Sequence, residues 1–188
     1  GILAPPGKYY YKLKVAADSA EGEFVVKADP NYQCTQEAYE QQFAFLEQCL
    51  GKFNEVQKGI KTIRALRNQL NEFVSKQSQE CPKEVKQSAD SLTKKLTLIE
   101  EALYQTKSKS GQDVLNFPIR LNDKLSGVFD AASSGNMAPS RQVQEVYAAL
   151  AAQCDEQLTR LKKLMTAEVQ QFNQLVREKN LPVIGVKE

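Results

Sequence analysis

The sequence contains no histidine and no tryptophan, and only nine glycines, seven prolines and two methionines. Zero histidine excludes Ser-His-Asp and Cys-His nucleophile pairs and every His-ligated metal site. It also removes the Glu-x-x-His motifs on which di-iron and di-manganese bundles depend. Scarce glycine and proline argue against a multi-stranded all-β domain and against Gly-rich phosphate loops. An excess of one charge is missing too. The 25 basic and 23 acidic residues leave +2, so there is no nucleic-acid footprint. No apolar run approaches the ~20 residues of a membrane-spanning helix. No transmembrane segment is expected. Gly1–Gly7 has neither the basic start nor the apolar length of a signal peptide. Without an initiator Met, the chain reads as a piece of something longer. What is present is 41% apolar and 26% charged among 188 residues. That suffices for one packed domain, or one domain plus a fragment of another.

The cysteines are Cys34, Cys49, Cys81 and Cys154. None forms a CxxC pair, which excludes a zinc ribbon or a thioredoxin-type motif. Four free thiols, two of them buried, is the favoured reading, because an unpaired cysteine behaves as a small hydrophobe. An exported protein would permit disulfides instead. Cys81 sits just ahead of an expected helix N-terminus, but with no histidine to activate it an inert thiol is expected.

Residues 1–29 read as a β-hairpin. Tyr9, Tyr11, Leu13 and Val15 alternate with Lys8, Tyr10, Lys12 and Lys14, a period of two. Ala17–Gly22 reads as turn material and Glu23–Lys27 as the second strand. Two strands are marginal alone. The hairpin is therefore either the end of an Ig-like module or an appendage packed on the rest of the chain.

Residues 30–188 read as a helical bundle. With Thr35 as N-cap, Tyr39, Phe43, Leu46, Leu50, Phe53, Val56, Ile60, Ile63, Leu66, Leu70 and Phe73 recur every three or four residues. That predicts one amphipathic helix over about 35–77, with a bend possible at Gly51 or Gly59. Pro82 opens a second helix with the cleanest heptad, Val85, Ala89, Leu92, Leu96, Ile99 and Leu103. Pro118 opens a shorter third helix, stopped by Ser133–Asn136. A fourth, carrying Val143, Tyr147, Leu150, Cys154, Leu158, Leu161, Met165, Val169, Phe172 and Val176, runs to about Asn180. The apolar tail Leu181–Val186 is expected to lie along the hairpin.

The expected class is mainly α: an antiparallel up-down bundle of four helices, first and last long, with an N-terminal β-hairpin. The alternative is a three-helix bundle whose broken middle helix comprises the second and third segments. In it the first and fourth helices run parallel, the arrangement a Cys49–Cys154 disulfide would need.

Catalytic residues are not expected. Glu100 and Glu101, like Asp155 and Glu156, are adjacent on helices and point about 100° apart. Glycoside hydrolysis needs carboxylates facing across a cleft, so a solvated helix face is expected for both pairs. Lys94-Lys95 and Lys162-Lys163 read as solubilising charge. No metal and no cofactor are expected. The most distinctive stretch is Asn116–Leu125. Its candidate binding residues are Asn116, Arg120, Asn122 and Asp123, crowded around a helix start. A loop-to-helix junction held by capping and ion pairs is the favoured account, and a polar recognition patch is the functional one.

Ala4-Pro5-Pro6-Gly7-Lys8-Tyr9, then Phe24-Val25-Val26 and Asp29-Pro30, then Ile99–Thr106, Leu115–Leu125 and Ala138-Pro139-Ser140, follow a recognisable order. Over essentially the whole chain it resembles the C-terminal region of bacterial extracytoplasmic proteins with sortilin-like, BNR-repeat β-propellers, often labelled glycosyl hydrolases. The stretch Tyr104–Leu125 is the most specific part. The resemblance implies a periplasmic or secreted location and, as partner, an upstream propeller of the same polypeptide. With long helices and no catalytic groups, the expected role is a non-catalytic accessory domain for scaffolding or protein–protein interaction, with a possible protein partner. The alternatives are part of a glycosyl hydrolase-like enzyme whose active site lies in that propeller, and an oligomerisation module.

Overall fold

A computed structural model describes residues 1–77 and 81–181. The chain is mainly helical, with an N-terminal antiparallel β-hairpin: β1 (Gly7–Val15), β2 (Asp18–Val26), α1 (Gln36–Lys76), α2 (Lys83–Leu103), α3 (Leu121–Ser133), α4 (Arg141–Lys163) and α5 (Val169–Glu178). It packs as two compact units. The first holds the hairpin, α1 to Gly51, α3 from Ser126 and α4 to Ala148. The second holds the rest of α1, α2, the start of α3, and the chain from Ala149 on. Of the expected tail along the hairpin, Pro182–Val186 lie outside the described residues.

The hairpin turns earlier than Ala17–Gly22. Gly7 pairs with Val26 and Val15 with Asp18, so the turn is only Ala16-Ala17. Ala16 takes a φ of 51° there, a conformation that costs a non-glycine residue about 1–2 kcal/mol. The expected turn residues extend β2 because Ser19, Glu21 and Glu23 stay in phase with the lysine side of β1.

In the first unit, Tyr39, Phe45, Leu46, Cys49, Val128 and Ala132 are buried. The Thr35 side chain caps α1, accepting from the Ala38 N–H at 3.2 Å. Leu50 is exposed, and Cys49 takes the core position instead. Gln42 is buried and ties α1 to the end of α3. Its amide donates to the Ala132 and Gly135 carbonyls at 2.7 and 2.6 Å. Gly135 has φ +142°, which only glycine adopts readily, and it lies within the stretch expected to stop α3.

In the second unit, side-chain pairs fix the helix directions. Lys52 meets Asp155, and Phe73 meets Phe172 edge-on at 5.7 Å, so α1 runs parallel to α4 and α5. Arg64 and Arg67 meet Glu100, while Glu84 meets Lys179 and Lys95 meets Glu168. Helix α2 is thus antiparallel to its neighbours. This is the helix order of the three-helix alternative rather than of the up-down-up-down form. The connection from Tyr104 to Arg120 permits it. It spends a 3₁₀ turn (Gly111–Leu115) and an extended segment before α3 begins.

Helix starts are later than the prolines suggested. Pro82 is the N-cap of α2 with extended backbone, and Lys83 is its first helical residue. Pro118 stays outside α3, whose first bond runs from the Lys124 N–H to the Arg120 carbonyl. Every residue of the α2 heptad is buried. The fourth helix is interrupted by a π turn at Leu164–Glu168. Leu164 and Phe172 are both buried, whereas Met165 is exposed. Eight residues of regular α-helix would leave Phe172 about 80° off the line of Leu164. The wider π turn rotates it back to the core. Asn180, in left-handed conformation at φ 53°, closes α5, and the Leu181 N–H bonds the Val176 carbonyl.

Candidate functional site

The four cysteines are free. Burial pushes the Cys49 and Cys154 thiols up to about 11. Both are protonated at neutral pH, as hydrophobes rather than nucleophiles.

Of the carboxylates, Asp155 and Glu156 lie on an exposed face as expected, paired with Lys52 and Arg160. Glu100 does not. Its side chain is 1% exposed, where a solvated face was expected. Arg64 Nε donates to Oε1 at 2.6 Å. Arg67 Nη2 lies 2.7 Å from Oε2, a charge contact without hydrogen-bond alignment. The Arg64 guanidinium also lies over the Tyr104 ring, 4.9 Å from its centroid. Two cations around one buried anion form a closed clamp. The arginines, three residues apart on the neighbouring helix, are the signal that sequence reasoning passed over. The hydrogen bond to Glu100 raises the Arg64 pKa further.

The candidate residues Asn116, Arg120, Asn122 and Asp123 differ in burial. Asn116 and Asp123 are exposed, Arg120 is half-buried and Asn122 is buried. Asn116 follows the 3₁₀ turn, and its backbone N–H bonds the Asp113 carbonyl at 3.0 Å. Arg120 Nε and Asn122 Oδ1 are buried without a hydrogen-bond partner. The loop is anchored elsewhere, by residues the sequence did not single out. The Gln105 amide donates to the Pro118 carbonyl at 2.8 Å, and its oxygen accepts from the Lys107 N–H. The Asp113 carboxylate accepts from the Lys109 and Ser110 N–H groups and from the Ser110 hydroxyl. Those bonds hold its pKa below the ordinary value.

The hairpin presents a run of exposed large side chains. Strand alternation sorts it into two faces. One carries Lys8, Tyr10, Lys12 and Lys14 on β1 with Glu21 and Glu23 on β2. Lys8 pairs with Glu23 at 2.7 Å and Lys12 with Glu21. The other face carries Tyr9, Tyr11, Leu13 and Val15 beside Phe24. Tyr9 stacks on Phe24 at 5.7 Å between ring centroids. Beyond that stack the face is open: Tyr11, Leu13, Val15 and Phe24 are 51, 59, 63 and 50% exposed. Among the described residues, each strand also has one edge without a partner strand.

At the hairpin's foot, the Tyr9 hydroxyl donates to the Pro5 carbonyl at 2.7 Å, and the Gln36 amide to the Pro6 carbonyl at 3.0 Å. Below it lies a cleft of about 720 Å³ between residues 1–6, Val26–Asp29, α1 and the end of α3. The Tyr39 hydroxyl is buried there without a hydrogen-bond partner. Burial raises its pKa, and Cys34 and Asp29 add to the shift. Among the described residues, no cluster of three or more potential ligands could hold a metal ion, and no helix is long and apolar enough to cross a membrane.

Comparison with protein-family models, curated proteins and solved structures found no match to this chain.

Proposed function

We propose that the chain is a non-catalytic accessory domain for scaffolding or protein–protein interaction, and that its hairpin is the contact surface. The observation that carries this reading is the open apolar face of Tyr11, Leu13, Val15 and Phe24. A two-stranded sheet cannot bury one of its own faces, and exposed apolar surface of this kind marks an interaction site. Helix α2 supports the reading by its contrast, since every residue of its heptad stripe is buried. The resemblance to the C-terminal region of sortilin-like BNR-repeat proteins supports it further. In that setting the partner is an upstream propeller of the same polypeptide, outside the cytoplasm.

The test is hydrogen exchange of the hairpin in the natural gene product, isolated with an antibody against this chain and compared with the 188-residue chain alone. Hairpin amides slowed at least about tenfold in the natural product are the expected result. Equal exchange in the two would sink the interaction reading. Hydrolysis of a glycoside by the isolated chain, abolished by one carboxylate substitution, would overturn the non-catalytic part.

A further inference from the structure

The two edges of the hairpin are chemically unequal, and the inequality specifies a partner. On the polar face β1 carries Lys8, Tyr10, Lys12 and Lys14. Opposite them β2 carries Val25, Glu23, Glu21 and Ser19. Its two glutamates pair with Lys8 and Lys12, and Lys14 faces a serine. A further strand along the free edge of β1 would therefore meet three lysines and Tyr10. Acidic residues there would gain cross-strand pairs, and basic residues would be repelled.

Side-chain size makes the same distinction on the apolar face. Opposite Tyr11, Leu13 and Val15, β2 offers Gly22, Ala20 and Asp18. Tyr11 leans over Gly22 so closely that a Cβ there would lie 2.5 Å from its hydroxyl. Across the sheet Leu13 and Val15 face only Ala20 and Asp18, and both stay open. Within the plane of the sheet, large apolar neighbours can be added on the far side of β1.

We infer that the free edge of β1 receives an extended strand from a partner protein, one whose side chains alternate acidic and large apolar. Backbone hydrogen bonds would supply the pairing and alternate side chains the selectivity. The incoming acidic residues would sit beside Lys12 and Lys14, and the apolar ones beside Leu13 and Val15. A second copy of this chain fits poorly. Its β1 is basic, and its β2 has the acidic residues but lacks large apolar groups along Asp18–Gly22. This inference rests on the reading of the hairpin as a contact surface and names what it contacts.

The test uses the whole 188-residue chain and two capped peptides, each as long as β1, one alternating Glu and Val, the other alternating Lys and Val. Amide shifts and exchange of Lys8–Val15 are followed during titration. The Glu/Val peptide is expected to perturb and protect the β1 edge, and the Lys/Val peptide to bind more weakly by about two- to fivefold per charge pair. Lys14→Glu should shift the preference toward the Lys/Val peptide by a similar factor. Equal response to both peptides, perturbation of β2 rather than β1, or no response would overturn the strand inference. Any of these beside slowed hairpin exchange in the natural gene product would leave the contact-surface reading standing and move the contact to the face or to β2. Absence of that slowing would remove the reading itself, whatever the peptides do.

Discussion

In β1, Leu13 and Val15 alternate with lysines and remain more than half exposed. In α2, Leu92 and Leu96 recur among lysines and threonines and are sealed. Both segments are amphipathic, and each has its own period. The difference is that α2 finds α1 and α5 along its apolar stripe, whereas among the described residues β1 pairs only with β2. Within a sheet that strand supplies hydrogen bonds but no cover for either face. The α2 stripe is thus buried within its own unit, whereas among the described residues the apolar face of the hairpin stays more than half exposed at Tyr11, Leu13 and Val15.

The sharpest way to test the closed side of this comparison is to open the Glu100 clamp. Replacing both Arg64 and Arg67 with Ala leaves a buried carboxylate without a cation. The expected loss is about 3–5 kcal/mol in urea unfolding. Glu100→Gln should cost less. The arginines it leaves behind are only partly buried and regain water.

A matched pair tests both sides at once. Leu96→Ala should cost about 3 kcal/mol, the usual range for emptying a core site. Leu13→Ser should change stability by no more than about 0.5 kcal/mol, because the side chain is more than half exposed. If Leu13→Ser costs as much as Leu96→Ala, the hairpin face is covered after all.

A smaller contrast lies inside α1. Nothing stands within 4 Å of a Cβ placed on Gly51, whereas one on Gly59 would come 2.7 Å from Leu158 Cδ2. Gly51→Ala should therefore stabilise the chain by about 0.5–1 kcal/mol. Gly59→Ala should gain less or nothing, since the Leu158 methyl must move aside. Thermal unfolding of the two variants separates them.

The smallest effect is local and pH-dependent. The Asp113 pKa is lowered in the folded chain, so its hold on the 3₁₀ turn is complete above the ordinary carboxylate range of about 4. It is lost as pH falls through the lowered value. The Lys109 and Ser110 amide shifts should titrate together, with a midpoint below that range.

Much of this fold was legible in the sequence because it was periodic. The α2 heptad, the Thr35 cap and the Ser133–Asn136 stop followed from local spacing. Two kinds of feature did not. Glu100 looked solvated because its arginine partners are far away along the chain, and only the pairing of α1 with α2 brings them together. Which of Asn116, Arg120, Asn122 and Asp123 turn inward was not legible either, because crowding along the chain says nothing of burial. Prolines misled for a related reason. Pro82 and Pro118 mark where a helix is permitted, while its first hydrogen bond depends on the next residues.

The π turn at Leu164–Glu168 can also be seen as a splice. Removing one residue from it would set Leu164 and Phe172 about seven apart, the spacing of an ordinary heptad. The helix carries one residue more than its register requires, and the surplus is taken up in a single loosened turn. Chain length and facing direction are thereby uncoupled in this stretch. A copy one residue shorter could keep Phe172 against Phe73 with no other change.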